Sequence, residues 1–82
     1  MYEVIISDKA ERQLKKLDKD IRERILKSLE RSRIRPGHFF ERLVGEKSYK
    51  LRVGNYRVIA DIYENELRIL VIEIGHRKNI YK

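Results

Sequence analysis

Cysteine and tryptophan are absent from this 82-residue chain, proline occurs once and glycine four times. Without cysteine there is neither a disulfide framework nor a thiolate metal site, and a reducing compartment is permitted. With so little proline and glycine there is no linker, repeat or low-complexity tract, and residues 35–48 are the one sizeable irregular segment. No apolar run approaches the roughly 20 residues that a bilayer demands, so no membrane association is expected. Met1-Tyr2-Glu3 leads directly into a short apolar run, without the basic start, long apolar stretch and small-residue cleavage site of a signal peptide; a cytoplasmic location is expected. Two histidines and no carboxylate cluster at ligand spacing give no reason to expect a metal or cofactor. The length allows one domain, residues 1–82, whose core is stable when nearly every apolar stripe is used.

What is abundant is charge. Twenty Lys and Arg against 13 Asp and Glu give +7, which points to a polyanionic partner. In the first half many charges stand as an acid four residues before a base (Asp8 and Arg12, Glu11 and Lys15, Asp20 and Arg24, Glu23 and Lys27), the spacing of a solvated helix face. In contrast, residues 47–57 hold Lys47, Lys50, Arg52 and Arg57 without an acid, and residues 75–82 hold Arg77, Lys78 and Lys82 without one. The uncompensated charge is concentrated in these two segments.

The periodicities give an outline. Residues 2–6 form a short strand, and Ser7 caps a helix near 8–17 with Ala10, Leu14 and Leu17 on one face. Asp18 or Asp20 caps a second helix carrying Ile21, Ile25, Leu26 and Leu29, ended by Pro36-Gly37. From Phe39 the apolar period becomes two. Tyr49, Leu51 and Val53, then Tyr56, Val58, Ala60 and Ile62, flank Gly54-Asn55 as a tight hairpin. A two-residue turn sets Val53 against Tyr56, Arg52 against Arg57 and Leu51 against Val58, giving one apolar face and one presenting Lys50, Arg52 and Arg57. A second turn at Glu64-Asn65 would set Asp61 opposite Arg68 and put Leu67, Ile69 and Val71 in the core. The expected fold is α+β: an N-terminal strand and a helical hairpin packed on one face of an antiparallel sheet.

Two directly opposed arginines with a lysine two residues away cost stability, and such conflicts gather at functional sites rather than in scaffolds. Long side chains splaying into water would be the bland explanation. A phosphate backbone is the natural ligand, through bidentate guanidinium contacts and counterion release.

Leu43 and Gly45, the run Tyr49-Lys50-Leu51-Arg52-Val53-Gly54-Asn55-Tyr56-Arg57-Val58-Ile59, then Gly75-His76-Arg77-Lys78 with Ile80 and Tyr81, together resemble the signature of the RelE/ParE toxin superfamily. The resemblance spans essentially the whole chain and is nearest to archaeal RelE toxins. It implies the toxin of a type II toxin–antitoxin pair: a ribosome-dependent, metal-independent endoribonuclease that enters the A site and cuts mRNA by attack of a 2′-hydroxyl on the adjacent phosphate. By position, Arg57 and Arg77 would stabilise the charge developing on phosphorus. Lys50 would bind phosphate or assist proton transfer, and Tyr81 would act in acid–base chemistry or stack on a base. Lys and Tyr are both poor bases at neutral pH, and the choice between them stays open. Lys47, Arg52, His76 and Lys78 would contact RNA or ribosome, although a strand-end histidine such as His76 is also a common packing residue. His38 has no spacing that places it beside His76. One departure is Ser48, where better-known bacterial members carry a second lysine.

The same resemblance implies a RelB-like antitoxin as partner, wrapping a surface on which Ile59, Leu70, Ile72 and Ile74 would lie beside Arg57. Two other functions share the pattern: a ParE-like inhibitor of DNA gyrase with the same fold, and a non-catalytic RNA- or ribosome-binding module.

Overall fold

A computed structural model describes residues 1–80. Strand β1 (Glu3–Ile6) leads through Ser7 into α1 (Asp8–Lys15), followed by α2 (Lys19–Ser32), β2 (Phe40–Arg42), β3 (Tyr49–Val53), β4 (Tyr56–Tyr63), β5 (Arg68–His76) and a short α3 (Arg77–Ile80). Ser7 caps α1 as its residue type predicts, its Oγ accepting the Ala10 N–H at 3.1 Å. The same hydroxyl donates to the Ile72 carbonyl at 3.0 Å, so the cap also fastens α1 to β5. Gln13, further along α1, accepts the Ile74 N–H at 2.7 Å.

Helix α2 ends at Ser32, short of Pro36-Gly37. The Ser32 hydroxyl is fully buried and donates to the Leu29 carbonyl at 2.6 Å, a local bond that competes with helix continuation. Arg33 then turns to β1. Its Nε donates to the Tyr2 carbonyl and its own carbonyl accepts the Tyr2 N–H, both at 2.8 Å. Pro36 is buried at the start of a single 3-10 turn that continues into β2. The segment expected to be wholly irregular therefore contains an edge strand.

The sheet order is β1-β5-β4-β3-β2. The architecture is α+β, and the sheet is mixed because β1 runs parallel to β5 while the other pairs are antiparallel. Ala10 and Leu14 of α1 and Ile25 and Leu29 of α2 pack with Phe40, Leu51, Val53, Val58, Ala60, Ile69, Val71 and Ile74. Leu26, placed by periodicity on the same face of α2, is 41% exposed, since it lies one residue beyond the Ile25–Leu29 stripe.

The Gly54-Asn55 turn gives the anticipated register: Val53 with Tyr56, Arg52 with Arg57, Leu51 with Val58. The next connection differs. Glu64–Leu67 is a four-residue loop, so Tyr63 opposes Arg68 and Asp61 opposes Leu70. Leu67 takes φ 53° at the loop's end and is 47% exposed rather than in the core. Asp61 instead accepts the Ser48 hydroxyl at 2.9 Å, while Arg68 reaches Glu66 at 3.4 Å and Glu3 at 3.9 Å. An exposed ion pair, worth about 1 kcal/mol or less, is too weak to set register. A bulge follows, with Ile59 opposite Glu73 but Ala60 opposite Val71, leaving Ile72 as the extra residue. The shift turns Ile74 into the core, away from the outer surface where strict alternation put it.

Among the described residues no helix is long and apolar enough to cross a membrane. Gly54 sits at φ +59°, and a Cβ there would lie 3.4 Å from Nη2 of Arg24. Gly54→Ala is expected to cost about 1–2 kcal/mol through the left-handed backbone alone. Urea unfolding should show this as a lowered midpoint with an unchanged slope.

Candidate functional site

The hairpin register carries the charges onto the face of the sheet opposite the helices. Arg52 of β3 and Arg57 of β4 are directly paired, and Gly75 of β5 stands across from Arg57, adding no side chain there. One step along β3, Lys50 lies between Ile59 of β4 and Glu41 of β2. Phe39, Glu41, Lys50, Arg52 and Arg57 line one cleft of about 120 Å³.

Arg57 is unlike its neighbours because it is only 8% exposed. Its Nη1 donates to the Tyr56 carbonyl at 3.3 Å, whereas its Nε is buried without a partner. None of the ion pairs among the described residues involves it. Removing a cation from water costs on the order of several kcal/mol unless counter-charge or hydrogen bonds return it. Here the adjacent charges include Arg52, of the same sign. A phosphate oxygen would supply both the acceptor and the counter-charge.

The other anticipated residues among those described do not line this cleft. Arg77 is exposed at the start of α3, and its N–H donates to the Asn55 carbonyl at 2.8 Å, tying that end of β5 to the β3–β4 turn. Lys78 is exposed beside it, with its N–H donated to Nδ1 of His76 at 3.2 Å. That bond requires the Nδ1 lone pair, and the His76 ring meets Tyr56 edge-on at 5.4 Å and 78°. His76 lines a separate groove of about 370 Å³ with Gln13 of α1 and Lys16 and Leu17 just after that helix, and is not among the residues lining the arginine cleft. Lys47 is exposed on the loop before β3, at the opposite end of that strand from Gly54, beside an open groove formed by residues 42–47. Ser48 is engaged with Asp61. Tyr81 lies outside the described residues. His38 is exposed on the 3-10 turn, and does not line the groove that holds His76. Among the described residues no cluster of three or more His, Asp or Glu is placed to hold a metal ion.

Phe39 and Glu41 were missed by sequence reasoning. Strand β2 has three residues, too few for a period of two to register, yet Phe40 is core and Glu41 and Arg42 are exposed. The doublet Phe39-Phe40 was the available signal, with one ring buried and its neighbour on the opposite face at the cleft.

Over residues 4–81 the sequence matches the family described as ParE toxin of type II toxin–antitoxin system, parDE. The chain belongs to that family. It is a type II toxin of the RelE/ParE superfamily, and solved structures agree on the fold. The Escherichia coli RelBE toxin–antitoxin complex contains a chain 22% identical, with a TM-score of 0.81 over 93% of this chain and 96% of that one. A chain of the Mycobacterium tuberculosis RelBE2 complex is 22% identical, with a TM-score of 0.84 over 95% and 93%. One from the archaeal RelE–RelB complex of Pyrococcus horikoshii OT3 is 24% identical, with a TM-score of 0.78 over 95% and 97%. No curated protein matches the sequence.

The unpartnered Nε–H of Arg57 gives this toxin a measurable signature. Arg57→Met removes a buried donor that lacks an acceptor and keeps most of the side-chain volume, so the free protein should gain about 1–3 kcal/mol of stability. Urea denaturation in a buffer without phosphate or sulfate checks this, and a loss of stability would mean that the guanidinium is well satisfied.

Proposed function

We propose that this toxin is an endoribonuclease that cuts mRNA in the ribosomal A site, without a metal ion, by attack of a 2′-hydroxyl on the adjacent phosphate. The reading is supported above all by Arg57: a guanidinium lowered into a cleft, short of one acceptor and flanked by Lys50 and Arg52. Preorganised cations are worth most where charge develops on phosphorus and water is excluded. Arg57 fills that role in the cleft, and Arg77, at the start of α3, shares it. Lys50 serves the phosphate or the proton transfer, and Tyr81 acts in acid–base chemistry or as a stacking surface. Lys47, Arg52, His76 and Lys78 extend the contact to RNA or ribosome, and activity in the cytoplasm follows. The ribosome holds the 2′-hydroxyl in line, which groups of modest acid–base strength need.

The partner is a RelB-like antitoxin, as in the RelE complexes of the same fold, and the excess of basic residues calls for an acidic one. Ile59, Leu70 and the bulged Ile72, all partly exposed, together with Ile5 at 36%, provide an apolar strip for it beside the cations. A second reading is inhibition of DNA gyrase, favoured by the family description, which names ParE.

Mapping of 5′ ends in mRNA on programmed ribosomes separates the two. The nuclease leaves a new end at the A-site codon, and a gyrase inhibitor leaves none but blocks supercoiling. Arg57→Ala and Arg77→Ala should each slow cleavage by about 100-fold or more. Lys15→Ala, on the solvated face of α1, should not. Full activity in both arginine variants would remove them from the site.

A further inference from the structure

The cleft contains one charged group that the functional reading leaves unused. Glu41 belongs to β2, the short edge strand, and stands directly across the ladder from Lys50. Cross-strand neighbours have Cβ atoms about 4.5–5.5 Å apart, so the carboxylate and the ammonium serve the same small volume. Both line the cleft with Arg52, Arg57 and Phe39. An acid that served only to neutralise these cations would pair with Arg57, where desolvation is greatest, and no such ion pair occurs among the described residues.

The chemistry calls for a proton acceptor. Lys and Tyr retain their protons at neutral pH, with reference pKa values of about 10, and arginine never releases its own. Of the described side chains lining the cleft, Glu41 alone belongs to a class that is ionised and able to accept a proton under those conditions. We infer that Glu41 is the general base of this toxin, a catalytic residue contributed by the edge strand; this rests on the nuclease reading above.

The step balances without any further reactant. Glu41 takes the proton of the 2′-hydroxyl, O2′ forms a bond to phosphorus, and the P–O5′ bond breaks. The leaving O5′ takes a proton from the Lys50 ammonium. The products are a 2′,3′-cyclic phosphate and a 5′-hydroxyl, and exchange with water returns Glu41 to carboxylate and Lys50 to ammonium. Arg57 and Arg52 stabilise the nonbridging oxygens throughout, and Phe39, 36% exposed on the rim, offers a ring on which a base can stack.

The test is single-turnover cleavage of mRNA on programmed ribosomes by wild type, Glu41→Gln, Glu41→Asp and Lys50→Ala, with urea unfolding to verify each fold. Glu41→Gln should slow cleavage by about 100-fold or more while binding RNA at least as tightly, because a negative charge has left a phosphate site. Glu41→Asp, which keeps a carboxylate, should retain intermediate activity. A substrate with sulfur in place of the bridging O5′ has a leaving group that departs without a proton. It should restore the rate of Lys50→Ala and leave Glu41→Gln slow. If Glu41→Gln cleaves at the wild-type rate, or the sulfur substrate rescues it as fully as Lys50→Ala, Glu41 is not the base although the nuclease reading stands. If wild type itself leaves no new 5′ end, the nuclease reading falls and this inference with it.

Discussion

The two-residue turn at Gly54-Asn55 is the constraint on which the site depends. It fixes the β3–β4 register, and that register sets Arg52 opposite Arg57 with Leu51 and Val58 opposed on the other face. A one-residue slip would exchange the faces of one strand, burying its cations and exposing its apolar side chains. Gly54 meets the turn's demand for positive φ, and the guanidinium of Arg24 from α2 lies beside it. The Asn55 carbonyl accepts the Arg77 N–H. The turn that aligns the hairpin therefore also anchors the end of β5, from which Arg77 projects.

The stability cost of the cleft is met on the opposite face of the sheet. Val58, Ala60, Ile69 and Val71 are fully buried against Ala10 and Ile25 of the helices. The capping hydroxyl of Ser7 holds β5 at the bulged Ile72, and the Gln13 side chain of α1 holds it just beyond, at Ile74. The bulge keeps Ile74 in the core while leaving Gly75, without a side chain, beside Arg57. Rigid packing behind the sheet is what permits a like-charged pair on its front to remain in place without an acid bound to Arg57. An anion that enters meets a site already assembled, which is the condition for electrostatic stabilisation of a transition state.

Much of this was legible in the residues because two strong local signals agree. The Gly-Asn turn and the alternation around it gave the register to the residue, and the Lys50, Arg52 and Arg57 face followed. Ser7 as a cap and the stripes Ala10–Leu14 and Ile25–Leu29 were equally plain. Weaker signals failed for identifiable reasons. The Asp61–Arg68 attraction was asked to define a turn that backbone geometry and core packing decide. The bulge at Ile72 leaves no trace in a count of alternating residues, so Ile74 was placed on the wrong face. Strand β2 was too short to show a period, which hid Glu41 and Phe39. Burial of Arg57 also went unseen, since an arginine among cations reads as a solvent-exposed one until the surrounding cleft is known.

The central claim is that Arg57 is held ready, with an unfilled donor, for the phosphate of an RNA strand. Its Nε–H resonance can be followed by NMR as a short RNA with every 2′-hydroxyl methylated, and hence uncleavable, is titrated into the free toxin. On this account the Arg57 Nε–H signal shifts downfield and its exchange with water slows by about tenfold or more as a charge-assisted hydrogen bond forms. An Nε–H signal that stays unchanged while the RNA binds would contradict it.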